Sequence, residues 1–176
     1  MKKILLFVCI AAIVFSSCSS KQNKLKQISS LKKDLFDKSV KTFDNRKADQ
    51  LVSLYVKFVE DYPKDTNSAN FLFEAANISE ATNPKYAVNL LTKVITEYPN
   101  SKRVPDCMFY KGFTYDEKLK DFNKAKECYE EYLQKFPNHT WAKDIPDLIK
   151  MLGKTPEQIG AELAAKQHND SLARKK

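Results

Sequence analysis

Three times in this chain a run of helix-spaced apolar residues stops at an aromatic residue followed by proline: FVEDYP closing at Pro63, VITEYP at Pro99 and YLQKFP at Pro137, 36 and 38 residues apart. Self-similarity at that period marks stacked helical hairpins. Counting back from each proline, aromatics stand one before (Tyr62, Tyr98, Phe136) and aliphatics four before (Val59, Ile95, Leu133). Bulky residues recur five before (Phe58, Val94, Tyr132) and eight before (Tyr55, Leu91, Tyr129), and Leu51, Ala87 and Ala125 stand twelve before. Those offsets share one face of an α-helix, and proline, which has no N–H to donate, stops it. Each segment is therefore the second helix of a hairpin.

The first helices follow from the same spacing. Phe71, Leu72, Ala75 and Ile78 lead to a turn at Thr82-Asn83-Pro84, where Asn83 caps the next helix and Pro84 occupies its first turn. Met108, Phe109, Gly112 and Tyr115 lead to a turn near Lys120-Asp121. A degenerate leading hairpin is expected from about Ser30 to Tyr62, its first helix carried by Phe36, Val40 and Phe43. Downstream, Trp141, Ile145, Leu148, Ile149 and Leu152 form a further stripe that Gly153 ends in the left-handed conformation. Thr155 and Gln158 have capping-box spacing, with Pro156 between them, and open a helix apolar through Ile159, Leu163 and Ala164. The expected architecture is an all-α helical-hairpin solenoid with repeats at 30–67, 68–104 and 105–140 and a partial repeat at 141–152. A capping helix at 155–167 would cover the open end, and 168–176 would be a frayed tail.

Ala75, Ala87, Leu91 and Pro99, and again Gly112, Ala125, Tyr129 and Pro137 with one extra residue in the turn, resemble the tetratricopeptide repeat. In that family a small residue lets paired helices approach, a second follows about twelve later, a bulky one four after that, and proline closes the unit. The resemblance implies an interaction scaffold for proteins or peptides. Its peptide-carboxylate clamps need Lys, Arg and Asn on the inner face of the first helices. Here the register puts Ala69, Leu72, Ala76, Ser79 and Glu80, then Asp106, Phe109, Phe113, Asp116 and Glu117, on that face, and none is basic. The expected groove is an apolar strip of Leu72, Ala76, Phe109 and Phe113 rimmed by Glu80, Asp106, Asp116 and Glu117, suited to a partner with apolar anchors and basic flanks.

The N-terminus reads as an address. Lys2 and Lys3 precede an apolar run from Ile4 to Phe15, then Ser16, Ser17 and Cys18. Twelve apolar residues span roughly 18 Å as a helix, against about 30 Å of bilayer hydrocarbon, so a secretory signal at 1–17 is expected rather than a membrane span. Ser17-Cys18 resembles the bacterial lipobox, which implies acylation of Cys18; a plain signal peptide cut near Ser17 is the alternative. With the repeats, the chain resembles envelope lipoproteins of the outer-membrane assembly and Tol/Pal-associated classes. That implies a lipid-anchored protein in the bacterial cell envelope, on the outer membrane facing the periplasm, with other envelope proteins as partners and a part in outer-membrane protein assembly.

Charge supports this division. Residues 19–47 hold nine Lys/Arg against three acids, 48–165 hold 15 against 18, and 166–176 hold four against one. Residues 18–29 are expected to be a basic tether, with Lys21, Lys24, Lys26, Lys32 and Lys33 either at anionic headgroups or simply solvated. The basic segments lack interleaved aromatics, so nucleic acid is not an expected partner.

Nothing in the sequence favours chemistry over binding. Three glycines, at 112, 153 and 160, build no phosphate loop. His139 and His168 have no orienting partner in sequence, and Asp116-Glu117 and Glu127-Glu130-Glu131 lie among lysines as solvated helix faces. No catalytic residue, metal, cofactor or small-molecule substrate is expected; the alternative class is an enzyme or small-ligand carrier on the same scaffold. Cys107 and Cys128, one on each helix of a hairpin, are read as buried thiols or as a disulfide. Trp141 is read as a packing anchor.

Overall fold

In the computed structural model the described residues are 20–37, 39 and 42–173, those from 166 onward by backbone alone. The signal at 1–17, Cys18, Val40 and residues 174–176 lie outside them. Among the described residues there are eight helices and no strand: α1 (20–35), α2 (Asn45–Asp61), α3 (Ser68–Ser79), α4 (Pro84–Glu97), α5 (Val104–Glu117), α6 (Phe122–Lys135), α7 (Ile145–Met151) and α8 (Pro156–Ala173). They fall into two compact units, up to Arg103 and from Val104 onward.

The sequence repeat is a repeat of helix ends. Tyr62, Tyr98 and Phe136 terminate α2, α4 and α6 with nearly the same backbone, φ −135°, −127° and −133°. Each donates its N–H to the carbonyl four residues back, on Phe58, Val94 and Tyr132, at 2.8, 3.0 and 2.8 Å. The starts repeat too: Asp44 accepts from the N–H groups of Arg46 and Lys47, Asn83 from that of Tyr86, and Asp121 from that of Lys124. Each cap satisfies backbone donors that the first turn leaves without an intrahelical acceptor.

In the first unit α2 packs on α3 and α3 on α4. Leu51, Tyr55, Phe58, Leu72, Ala75, Ala76, Ala87, Leu91 and Val94 form its core, none more than 1% exposed. Phe71 stacks on Tyr55 with ring centroids 4.9 Å apart and meets Phe58 edge-on at 5.0 Å. Residues five, eight and twelve before each proline are buried in α2, α4 and α6 alike, whereas the aromatic caps at the border of that face are half-buried.

The leading hairpin corrects the sequence reading. Residues 20–29, expected as tether, belong to α1, and Phe36 and Phe43, expected on the first helix of that hairpin, lie instead between α1 and α2. The physical reason is that Ile28 and Leu35, two turns apart on α1, are buried, while three lysines beside them pair with acids of the fold. Lys21 pairs with Asp65, Lys24 with Asp61, and Lys32 with Glu74 at 2.7 Å. Phe36 and Phe43 are left 53% and 55% exposed, their rings 6.4 Å apart.

In the second unit α5 pairs with α6, and α6 touches α7. Gly112 is where the first two come closest. A Cβ there would stand 2.9 Å from the Tyr129 ring and 3.2 Å from the Cys128 Cβ. Cys107 and Cys128 are both buried and are not joined in a disulfide. Lys120, the extra residue of the α5–α6 turn, takes a left-handed φ of 52°. Gly153 ends the α7 segment at φ 72°. The capping box closes reciprocally: the Thr155 N–H donates to Gln158 Oε1 at 2.9 Å and the Gln158 N–H to Thr155 Oγ1 at 3.3 Å.

The end of the chain is a second correction. The α8 backbone continues to Ala173, through residues expected to fray. As far as side chains are described, α8 covers no core: Ile159 is half-buried and Leu163 is 51% exposed. Its apolar stripe is two large residues wide, too narrow to seal a hairpin end.

Candidate functional site

The inner-face residues divide between the two units and behave differently in each. In the first unit Leu72 and Ala76 are fully buried, and only Glu80 of the expected strip is partly exposed. Most of the circumference of α3 is buried, through Ser68, Ala69, Phe71, Leu72, Phe73, Ala75, Ala76 and Ser79, and only the side of Asn70, Glu74 and Asn77 is polar. A helix buried over so wide an arc is packed on more than one side, so Leu72 and Ala76 cannot line an open groove.

Glu74, which the sequence reading passed over, organises the polar side of α3. Its carboxylate pairs with Lys32 and accepts from the Tyr55 hydroxyl and, at 2.9 Å, from Asn70 Nδ2. Asn70 Oδ1 in turn accepts from Arg103 Nε at 2.9 Å, and the Arg103 guanidinium lies 4.8 Å from the Phe73 ring centroid. Burial alone would raise the Glu74 carboxyl, but Lys32, Tyr55 and Asn70 outweigh it and hold the group below the usual carboxylate range.

In the second unit the expected strip is partly open. Phe109 is buried, which corrects its assignment to a free groove surface. Its ring lies flat on Trp141, centroids 4.5 Å apart and planes 9° apart, and stacks on Phe113 at 6.2 Å. Phe113, Trp141 and Tyr110 are half-buried, with Asp106 and Asp116 half-buried and Glu117 exposed. These residues make an aromatic ledge with an acidic edge. Trp141 is both packing anchor and surface, and its arrival over Phe109 from 32 positions further along has no local signal in the sequence.

The electrostatics of this ledge are the inverse of those at Glu74. Burial, then the neighbouring Glu117 charge, pushes the Asp116 carboxyl above its usual value, only partly offset by Lys120. Among the described residues Asp116 accepts no hydrogen bond. The Tyr129 hydroxyl, buried one helix away, likewise has no partner. Burial first, and then the charges of Asp116 and Glu117, push that phenol further up. Of these two groups only the Tyr129 hydroxyl is fully enclosed; the half-buried Asp116 carboxylate is the one that an incoming donor can reach, and there such a donor offsets part of the cost of burial.

The repeat-register residues Ala75, Ala87, Leu91, Ala125 and Tyr129 are all at most 1% exposed, and Gly112 lies against Tyr129. His139 has a partner that its sequence neighbours did not indicate: the Tyr132 hydroxyl lies 2.6 Å from its Nδ1. Among the described residues no His, Cys, Asp and Glu grouping suits a metal ion, and no helix is long and apolar enough to cross a membrane.

With this geometry in hand, residues 71–101 and 106–139 match the tetratricopeptide repeat family. Hairpins α3/α4 and α5/α6 are thus two copies of that repeat, and the fold is its all-α helical-hairpin arrangement. No curated protein matches the chain. Tetratricopeptide repeats are generally non-catalytic and bind proteins or peptides, which sets the class of partner but not its identity.

Proposed function

We propose that this chain is a protein-binding scaffold tethered to a bacterial membrane through an acylated Cys18, with the ledge of Phe113, Trp141, Asp106, Asp116 and Glu117 as its docking surface. The observation that carries the binding site is the donor-less, half-buried Asp116 beside exposed aromatic surface. A partner segment with an apolar anchor fills the ledge, and a neighbouring Lys or Arg supplies the donor that Asp116 lacks. The anchor is motivated by Lys2, Lys3, the apolar run to Phe15 and the Ser17-Cys18 junction. The finer reading places the protein on the outer membrane facing the periplasm, with partners among the envelope proteins that assemble outer-membrane proteins.

Two measurements test this. Metabolic labelling with a fatty-acid analogue marks the wild type and not Cys18→Ala; equal labelling of both removes the anchor. Crosslinking in intact envelopes followed by copurification identifies partners. Phe113→Ala weakens their recovery by about 1–3 kcal/mol, mostly through faster dissociation. Wild-type recovery by a folded Phe113→Ala, Asp116→Asn double variant moves the site elsewhere.

A further inference from the structure

The leading hairpin presents a face that the repeats do not use. On α1 the residues Gln22, Lys26, Ser29 and Lys33 are all exposed, and so is Phe36 immediately after its last turn. At 100° per residue they fall within roughly 80° of one another, and no acid lies among them. Lys26 and Lys33 make no ion pair among the described residues, unlike Lys21, Lys24 and Lys32 on the packed side of the same helix. The stripe ends in the exposed pair Phe36 and Phe43, and Arg46 is exposed at the start of α2. Of the acids at this end, Asp37, though exposed, accepts from the Ser39 N–H and Asp44 caps α2, while the exposed Asp34 lies on another side of α1, about 100° round the helix from Lys33. Two large aromatics at a connection, beside uncompensated cations, match an anionic lipid surface, where rings enter the headgroup boundary and lysines meet phosphates.

We infer that α1 lies along an anionic bilayer, with Lys26 and Lys33 over the headgroups and Phe36 and Phe43 inserted at the far end. The inference rests on the Cys18 anchor proposed above, since Cys18 stands two residues before α1 and brings that end to the bilayer. Sixteen helical residues span about 24 Å, so the acyl group and the phenylalanine pair are two attachment points at opposite ends of one rod. A lipobox-type anchor, with diacylglycerol on the thiol, already holds the chain at the membrane. The second attachment adds orientation: it fixes which side of α1 and of its own unit faces the bilayer, which a single flexible anchor does not.

The test uses the full-length chain, matured in the cell and reconstituted into phosphatidylethanolamine–phosphatidylglycerol vesicles. A polarity-sensitive fluorophore is attached at Phe43→Cys, and in a second sample at Asn89→Cys, exposed on α4 of the same unit; equally treated wild type, whose Cys107 and Cys128 are buried, sets the background. Both substituted positions are exposed, and circular dichroism verifies folding. The expected result is an apolar signal at position 43 quenched by nitroxide-labelled lipid, with position 89 unquenched. That quenching falls about fivefold or more in phosphatidylcholine, or with Lys26→Glu and Lys33→Glu together. A water-like probe at 43 overturns the inference, as does an apolar probe that labelled lipid does not quench, which indicates a second copy or a protein partner. Quenching unchanged by lipid charge and by both Lys→Glu changes overturns the electrostatic part. Fatty-acid labelling of Cys18, scored on the same membranes, separates the two readings: label with an unquenched probe removes only the flat helix, and a quenched probe without label removes only the acyl anchor.

Discussion

Hairpins α3/α4 and α5/α6 are copies of one repeat, yet they fill the space between their helices with opposite allocations of bulk. In the second, Gly112 lies against the Tyr129 ring; in the first, the positions equivalent in the repeat are the buried Ala75 and Leu91. Taking the methyl from one helix makes room for a phenol on the other, which conserves volume as packed cores require. The phenol brings a hydroxyl into the interior, and in this hairpin that hydroxyl is left without a partner. The half-buried carboxylates differ in the same sense, Glu74 gathering three partners while Asp116 accepts no hydrogen bond among the described residues. The half-buried carboxylate of one hairpin is satisfied within the fold; that of the other is not. The comparison teaches that the repeat consensus fixes helix approach and leaves each copy free to be structural or receptive.

The largest effect should come from breaking the volume exchange. Gly112→Leu, forced against the Tyr129 ring, should destabilise by about 2–3 kcal/mol in denaturant melts, even though leucine favours helix. Gly112→Ala together with Tyr129→Leu copies the α3/α4 arrangement and should recover much of the loss of Gly112→Ala alone; strict additivity would refute the exchange. Next, Glu74→Ala should cost about 1–3 kcal/mol by stranding the Tyr55 hydroxyl, Asn70 and Lys32.

The two carboxylates should also respond to pH with opposite sign. Glu74 has a folded pKa below its unfolded value, so its contribution is present above about pH 4.5 and is lost as pH falls through the folded value. Asp116 has a folded pKa above its unfolded value, so the folded chain holds the extra proton and stability declines as pH rises through that window. Melts of Glu74→Gln and Asp116→Asn across pH 3–7 check both slopes, and parallel curves would erase the distinction.

Smaller still is the turn. Lys120 occupies left-handed backbone that glycine adopts freely, and Lys120→Gly should gain up to about 1 kcal/mol. The corresponding α3–α4 turn, capped by Asn83 and Pro84, offers no such gain. At the lower end, Asp116→Asn at neutral pH should stabilise by only a few tenths of a kcal/mol once solvent screening is allowed for. Chemical melts at matched pH measure both.

What could be read from the sequence followed locality. The aromatic-proline ends, the cap at Asn83, the capping box at Thr155 and the left-handed Gly153 are each set by residues within about one turn, and all were legible; at Asp121 the turn was legible and the cap was not read. The leading hairpin was misread because Phe36, Val40 and Phe43 have helical spacing by coincidence. The buried stripe of Ile28 and Leu35 is diluted by lysines whose partners Asp61, Asp65 and Glu74 lie 37 to 44 positions away. The groove was half legible for the same reason. The register placed Phe109 and Phe113 on a common face, but only Trp141, arriving from beyond α6, decides that one is covered and the other open.

The two buried cysteines have a practical corollary. Burial pushes the Cys128 thiol above its ordinary pKa, so little of the reactive thiolate exists while α5 and α6 are paired, and Cys107 is fully buried. Both sit in the unit from Val104 onward; among the described residues the unit before it has none. An alkylating reagent is therefore a stopwatch for one hairpin, counting its openings and leaving the satisfied neighbour uncounted.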